Sequence, residues 1–169
     1  SPENRYVELN ATAGQVNDSR MMNNTAPTST VFSLRNDNST NGSSGTYVAY
    51  CFAEIDGFSK FGRYTGNGNT NGTYIWTGFR VAYVIVKSFS GASEHWNIPV
   101  DTDRNNPVDK TVSANLNNAE RNMDGNNPAV HFYSNGFKIT NSDNNYSNNG
   151  AHFIYYAIAR NPFKHTNAR

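Results

Sequence analysis

Apolar residues in this chain arrive in short bursts, at 30–34, 47–55, 74–76, 81–89, 130–133, 137–140 and 153–159. The bursts are rich in Val, Ile, Tyr and Phe, whose branched and aromatic side chains pack well on a pleated surface. Clusters of Asn, Gly, Ser and Thr separate them. Five Asn-Gly pairs begin at Asn41, Asn67, Asn71, Asn135 and Asn149, and both residue types tolerate the positive φ that tight hairpins require. The clearest hairpin runs Val130–Tyr133, turns over Ser134-Asn135-Gly136 and returns along Phe137–Ile139. Short strands with frequent turns predict an all-β fold, an antiparallel β-sandwich of jelly-roll-like form. The one helix candidate, Asn115–Met123, is rich in Asn and weak enough to be a single turn.

Composition sharpens this reading. Asn supplies 28 of 169 residues and charged residues only 16%, a mixture that also occurs in disordered tracts. The 22 aromatic residues (10 Tyr, 10 Phe, 2 Trp) argue against disorder. A net charge of +1 predicts no electrostatic grip on nucleic acid or on an acidic membrane. The longest unbroken apolar runs, Tyr47–Ala53 and Phe153–Ala159, have seven residues, one more than Val81–Val86, far below the ~18 of a membrane-spanning helix. The single cysteine, Cys51, excludes a disulfide framework within the chain. Its place inside an apolar burst predicts a small, buried core residue.

An internal repeat is legible. Phe32-Ser33-Leu34 recurs as Phe137-Lys138-Ile139, and Tyr47–Glu54 recurs as Phe153–Arg160. Asn/Ser/Gly loops precede the longer segment in both places, ending at Gly45 and Gly150. Weaker echoes link Leu9-Asn10 to Leu116-Asn117, Asn24–Pro27 to Asn126–Ala129, and Phe58-Ser59-Lys60 to Phe163-Lys164. The pattern predicts a duplicated β unit: residues 1–63 form a partial first unit and 64–169 a complete second one. On this reading the chain starts inside its first unit, as a piece of a longer polypeptide. The plainer alternative is one merged sandwich that uses 1–63 as outer strands.

The segment Tyr47–Gly68, with Thr77–Lys87 and Ser134–Ile139, resembles a domain family of tailed bacteriophages common in marine phage sequences. Residues 23–34 are similar to the region that precedes that domain. The family has no assigned activity; its members look like virion proteins, some carrying concanavalin-like lectin modules in the same chain. The sequence departs from the usual pattern at Arg160 and at His95-Trp96-Asn97-Ile98. The resemblance implies a virion part, and so an extracellular particle as the location.

Candidate sites compete with plainer roles. Asp101-Thr102-Asp103-Arg104-Asn105 places oxygens at alternate positions, as Ca²⁺ sites do. Arg104 opposes a cation there, and a polar loop is the better reading. Gly66–Gly72 could pass for a phosphate cradle, but such a loop needs a helix after it and usually a Lys; here a strand follows and no Lys is present. His131 and His152 fall in strand candidates that could face one another, though two His alone make no zinc site. Glu54 with Asp56 could be a glycosidase pair. The repeat carries Arg160 and Pro162 at the corresponding positions, which favours an incidental role. No catalytic residue, metal or cofactor is expected, and the chain is read as not an enzyme. Seven Asn-x-Ser/Thr sequons are about what chance gives for this composition.

A polar surface dotted with aromatic rings remains. Tyr64, Asn67, Asn71, Tyr74 and Trp96 are the expected ligand contacts, rings for sugar faces and amides for hydroxyls. Tyr64 and Trp96 fit core and surface equally well, and Trp76 is read as core. With the resemblance, this predicts a tail-fibre or spike module that binds host-surface glycan without catalysis. Other virion proteins are expected neighbours, and a homo-oligomer, a trimer by preference, would add avidity. The rival is an architectural capsid-decorating or tail protein that binds neighbouring subunits, with a strand donated between subunits to complete the first unit.

Overall fold

A computed structural model describes residues 2–90, 95–99, 108–123 and 128–162. The Asp101–Asn105 loop, His165, and the echoes at Asn126-Asn127 and Phe163-Lys164 lie outside the described residues. The chain divides into two compact units, one of residues 1–8 and 13–52, the other of residues 9–12 and 53–169.

The first unit holds a two-stranded antiparallel sheet of β1 (Arg5–Tyr6) and β2 (Val16–Asn17), and one turn of helix, α1 (Asn38–Asn41). The expected strands at 30–34 and 47–55 are absent from it: residues 46–54 belong to no strand and lie exposed. Cys51 is exposed with them, not buried. A strand needs a neighbour to satisfy its backbone groups, and these segments have the side chains of strands without that neighbour.

The second unit is the sandwich. Its larger sheet contains β3 (Ser59–Thr65), β5 (Val81–Ser90), β6 (Trp96–Pro99), β7 (Lys110–Ser113), β8 (Arg121–Asn122) and β11 (His152–Ala159). Their order is β3-β11-β5-β6-β7-β8, antiparallel throughout. The smaller sheet places β10 (Gly136–Ile139) between β4 (Tyr74–Trp76) and β9 (Val130–Tyr133). A second helical turn, α2 (Asn144–Ser147), precedes β11. Alternation decides what each strand buries. Tyr64, Val84, Val86, Phe153, Tyr155 and Ala157 from the larger sheet join Ile75, Val130, Phe132, Phe137 and Ile139 from the smaller one in a single core. The predicted antiparallel all-β sandwich is therefore the architecture. The boundary expected between residues 63 and 64 falls inside β3.

The predicted 130–139 hairpin forms in register, with Tyr133 opposite Gly136 across Ser134-Asn135. Its glycine does not take positive φ. It is required instead for close approach: a methyl at 136 would overlap the Ile75 carbonyl oxygen of the neighbouring strand. The helix candidate at 115–123 is instead a turn followed by β8. Asn115 uses its side chain to accept from the Trp96 amide (3.1 Å) and to donate to the Ala11 carbonyl (2.9 Å), competing with helix formation.

Polar residues fill one end of the core. Asn97 is fully buried; its Oδ1 accepts from Ser113 Oγ (3.3 Å) and Arg121 Nη2 (3.1 Å), and its Nδ2 donates to the His95 carbonyl (3.1 Å). Tyr146, on α2, plugs the same region with its hydroxyl against Thr111 Oγ1. A buried network of this kind is tolerable because its members are paired.

Candidate functional site

The solvent-facing side of the smaller sheet is set by the same alternation. Phe137 and Ile139 point into the core, so Gly136 and Lys138 point out. Ile75 points in, so Tyr74 and Trp76 point out; Val130 and Phe132 point in, so His131 and Tyr133 point out. The register aligns Trp76, Gly136 and Tyr133 in one row and Tyr74, Lys138 and His131 in the next.

Gly136 leaves the middle of the first row open, and Tyr74 fills it. The Tyr74 ring meets Tyr133 edge-on with centroids 5.9 Å apart, and its hydroxyl donates to Asn135 Oδ1 at 2.6 Å. Tyr133 in turn stacks on His131 at 4.6 Å. Lys138 Nζ donates to Asn71 Oδ1 at 2.5 Å. At the edge, Lys60 Nζ lies 5.4 Å from the Trp76 ring centroid and 2.8 Å from Glu54 Oε1. The face thus combines three exposed aromatic rings with amide, imidazole and ammonium groups, an arrangement suited to a ligand with flat apolar faces and peripheral hydroxyls.

The expected contacts divide. Tyr74 and Asn71 lie on this face. Tyr64 does not: it is 6% exposed, stacked on Phe153 at 4.8 Å, with its hydroxyl donating to the Tyr146 carbonyl at 2.9 Å. Burial pushes its phenol well above the usual value. Asn67 closes its own loop, accepting from the Asn69 amide (3.1 Å) and donating to the Asn71 carbonyl (3.1 Å), with Ser147 Oγ donating to it at 3.2 Å. Trp96 sits on the outer side of the larger sheet, half-buried, its ring centroid 5.4 Å from Nζ of the fully buried Lys87.

Trp76 is 59% exposed, which overturns its reading as core. A three-residue strand with one inward residue, Ile75, leaves both flanking rings outside. His131, Tyr133, Asn135 and Lys138 join the face without having been expected there. The hairpin register, legible in the sequence, sets His131, Tyr133 and Lys138 on one side once Phe137 is assigned inward, and the bond from Tyr74 adds Asn135. His131 and His152 do not face one another. They lie in different sheets, and His152 Nδ1 is 3.1 Å from Thr65 Oγ1.

Glu54 is engaged in structure. The hydrogen bond from Lys60, with help from the Phe61 amide, holds its carboxyl below the usual range. A general acid requires the opposite shift. Among the described residues, no group of three or more His, Cys, Asp or Glu could hold a metal ion.

The fold and this face define an antiparallel β-sandwich with an aromatic outer sheet. The chain belongs to the family described as Domain of unknown function (DUF7483), which matches residues 1–162. No curated protein and no solved structure matches it.

Proposed function

We propose that this protein is a non-catalytic glycan-binding module, and that the outer face of the smaller sheet is its binding surface. The observation that carries the reading is the cluster of Tyr74, Trp76 and Tyr133, exposed on one face of the sheet and bordered by Asn71, Asn135, His131 and Lys138. Sugar rings stack on such faces while their hydroxyls bond the bordering groups. The setting we propose, a tail fibre or spike of a tailed-phage virion, rests on the sequence resemblance. Weak sites of this kind gain strength in an oligomer.

The test is retention of glycans or host envelope on an array by the intact protein. Trp76→Ala and Tyr133→Ala should each weaken retention about tenfold, the loss of ~1.4 kcal/mol per site, with the fold unchanged. Trp96→Ala should have little effect. Absence of any retention, or retention indifferent to Trp76 and Tyr133, would defeat the proposal. The second reading, an assembly role, is favoured by the exposed apolar segment at 47–51.

A further inference from the structure

The sequence repeat has a counterpart in local geometry. Asp37 caps α1, its side chain accepting from the Ser39 amide at 2.8 Å; Asp143 caps α2, accepting from the Asn145 amide at 2.8 Å. The Asp37 carbonyl accepts from the amides of Thr40 (3.2 Å) and Asn41 (2.8 Å), as the Asp143 carbonyl does from Tyr146 (3.0 Å) and Ser147 (2.8 Å). Gly45 then donates to Gly42 at 3.1 Å, as Ala151 does to Asn148 at 3.0 Å. Every pair is 106 residues apart, 37 to 143 and 45 to 151 alike. Upstream, the Thr28 amide donates to the Val31 carbonyl at 2.8 Å across Ser29-Thr30, where the second copy turns at Ser134-Asn135.

The two copies part company beyond the helical turn. After α2 the chain enters β11, paired with β3 on one side and β5 on the other. After α1 the chain runs through Tyr47–Ala53 without a strand. In the 106-residue register, Tyr47, Ala49, Cys51 and Ala53 stand where Phe153, Tyr155, Ala157 and Ala159 enter the core. Val48 and Tyr50 stand where Ile154 and Tyr156 face outward. Val48 is 76% and Tyr50 83% exposed, and no described residue of the first unit belongs to the hydrophobic core. At a spacing of 105, one residue shorter, Phe32–Leu34 stands at Phe137–Ile139 of β10, the strand that pairs with β4.

We infer that residues 28–53 are the C-terminal half of a second sandwich, completed by a strand set of the β3-β4-β5 type from a further unit of the same family. Tyr47–Ala53 then becomes a central strand, and Cys51 becomes a core residue. A second copy of this chain does not supply the set, because its own β3, β4 and β5 are already held by its β10 and β11. The inference is independent of the glycan-binding reading.

The test adds the missing strands to the whole chain. A copy of residues 57–106 joined directly before Ser1 restores the repeat spacing. Thiol labelling of Cys51 should slow roughly 100-fold or more, and amides 47–53 should gain matching protection from hydrogen exchange. Val84→Asp with Val86→Asp in the added copy should restore fast labelling. A second measurement reads register even if the extension packs loosely. Ala157 lies opposite Val84, and Tyr155 opposite Val86. In the added copy, Val84→Cys should therefore form a disulfide with Cys51 and Val86→Cys should not. Fast Cys51 labelling in the extended chain, or equal trapping by both cysteines, overturns the inference. Cys51 protected by self-association of the unextended chain overturns it as well, naming a second copy as the occupant.

Discussion

The rings of Phe137 and Tyr155 meet edge to face, 5.5 Å between centroids, one from each sheet of the sandwich. Phe137 is fully buried and also touches Phe132 in the neighbouring strand. This contact joins the two sheets across the shared core. Gly62 on β3 makes room for it, because a methyl there would lie 2.6 Å from the Tyr155 ring.

Phe137→Ala should accordingly destabilise the protein by about 3–5 kcal/mol through lost burial and the cavity left behind. Phe137→Leu should cost clearly less. Denaturant unfolding measures both. Equal costs for the two variants would mean that the site collapses freely around a smaller side chain.

Gly136→Ala adds one methyl where the Ile75 carbonyl, Tyr74 Oη and the Trp76 backbone already stand. Backbone on the adjacent strand cannot step aside as a flexible side chain does. A loss of about 1–3 kcal/mol is expected, with Tyr74 displaced from Asn135. Thermal unfolding and a tyrosine-resolved NMR spectrum check this. A fully tolerated alanine would contradict the β4-β10 register.

Alkaline titration should single out the two tyrosines buried deepest, Tyr64 and Tyr146, while burial also raises Tyr83 and Tyr155. Burial pushes the phenols of Tyr64 and Tyr146 above their usual value of 10.0. The folded state therefore favours their neutral forms. Their contribution to stability is complete below pH 10 and is lost as pH rises above it toward the folded values. Absorbance at 295 nm should show these two ionising only with unfolding. Free ionisation of all ten in the folded protein would place Tyr64 and Tyr146 at the surface.

Acid should act on the edge of the aromatic face. Lys60 holds the Glu54 carboxyl below its usual 4.5. The ion pair is thus complete above pH 4.5 and is lost as pH falls through the lower folded value. Released from Glu54, Lys60 should shift on Trp76. In a Trp96→Phe background, Trp76 emission should change below pH 4.5, and Glu54→Gln should abolish that step. A step that survives Glu54→Gln would assign it to another carboxylate.

The sandwich was legible where apolar residues alternate or run together. Tyr74–Trp76, Val81–Ser90, Val130–Tyr133, Gly136–Ile139 and His152–Ala159 all stand close to the expected bursts. It was illegible where the inward positions are not apolar. In β3 these are Lys60, Gly62 and Tyr64, and the space at Gly62 is filled by a ring from another strand. In β6 and β7 they are Asn97, Thr111 and Ser113, buried because they bond one another and their neighbours. Composition alone does not reveal such pairing.

The reverse error occurs at Tyr47–Cys51, where strand-forming side chains stand outside any sheet. Propensity describes what a segment does beside a partner, and tertiary context supplies the partner. Trp76 was misassigned for a related reason. Membership of a strand says nothing about which side of the sheet a residue faces, and only the register of its neighbours settled that.

Residues 9–12 belong to the sandwich although the residues on both sides of them belong to the other unit. The chain therefore crosses between units three times, after Glu8, Thr12 and Phe52. No single peptide-bond scission can separate the two intact. A fragment beginning at residue 53 would forfeit the Ala11 carbonyl, which accepts from buried Lys87 Nζ at 3.1 Å and from Asn115 Nδ2 at 2.9 Å. An excision of the sandwich would have to carry this short clip with it to keep both bonds.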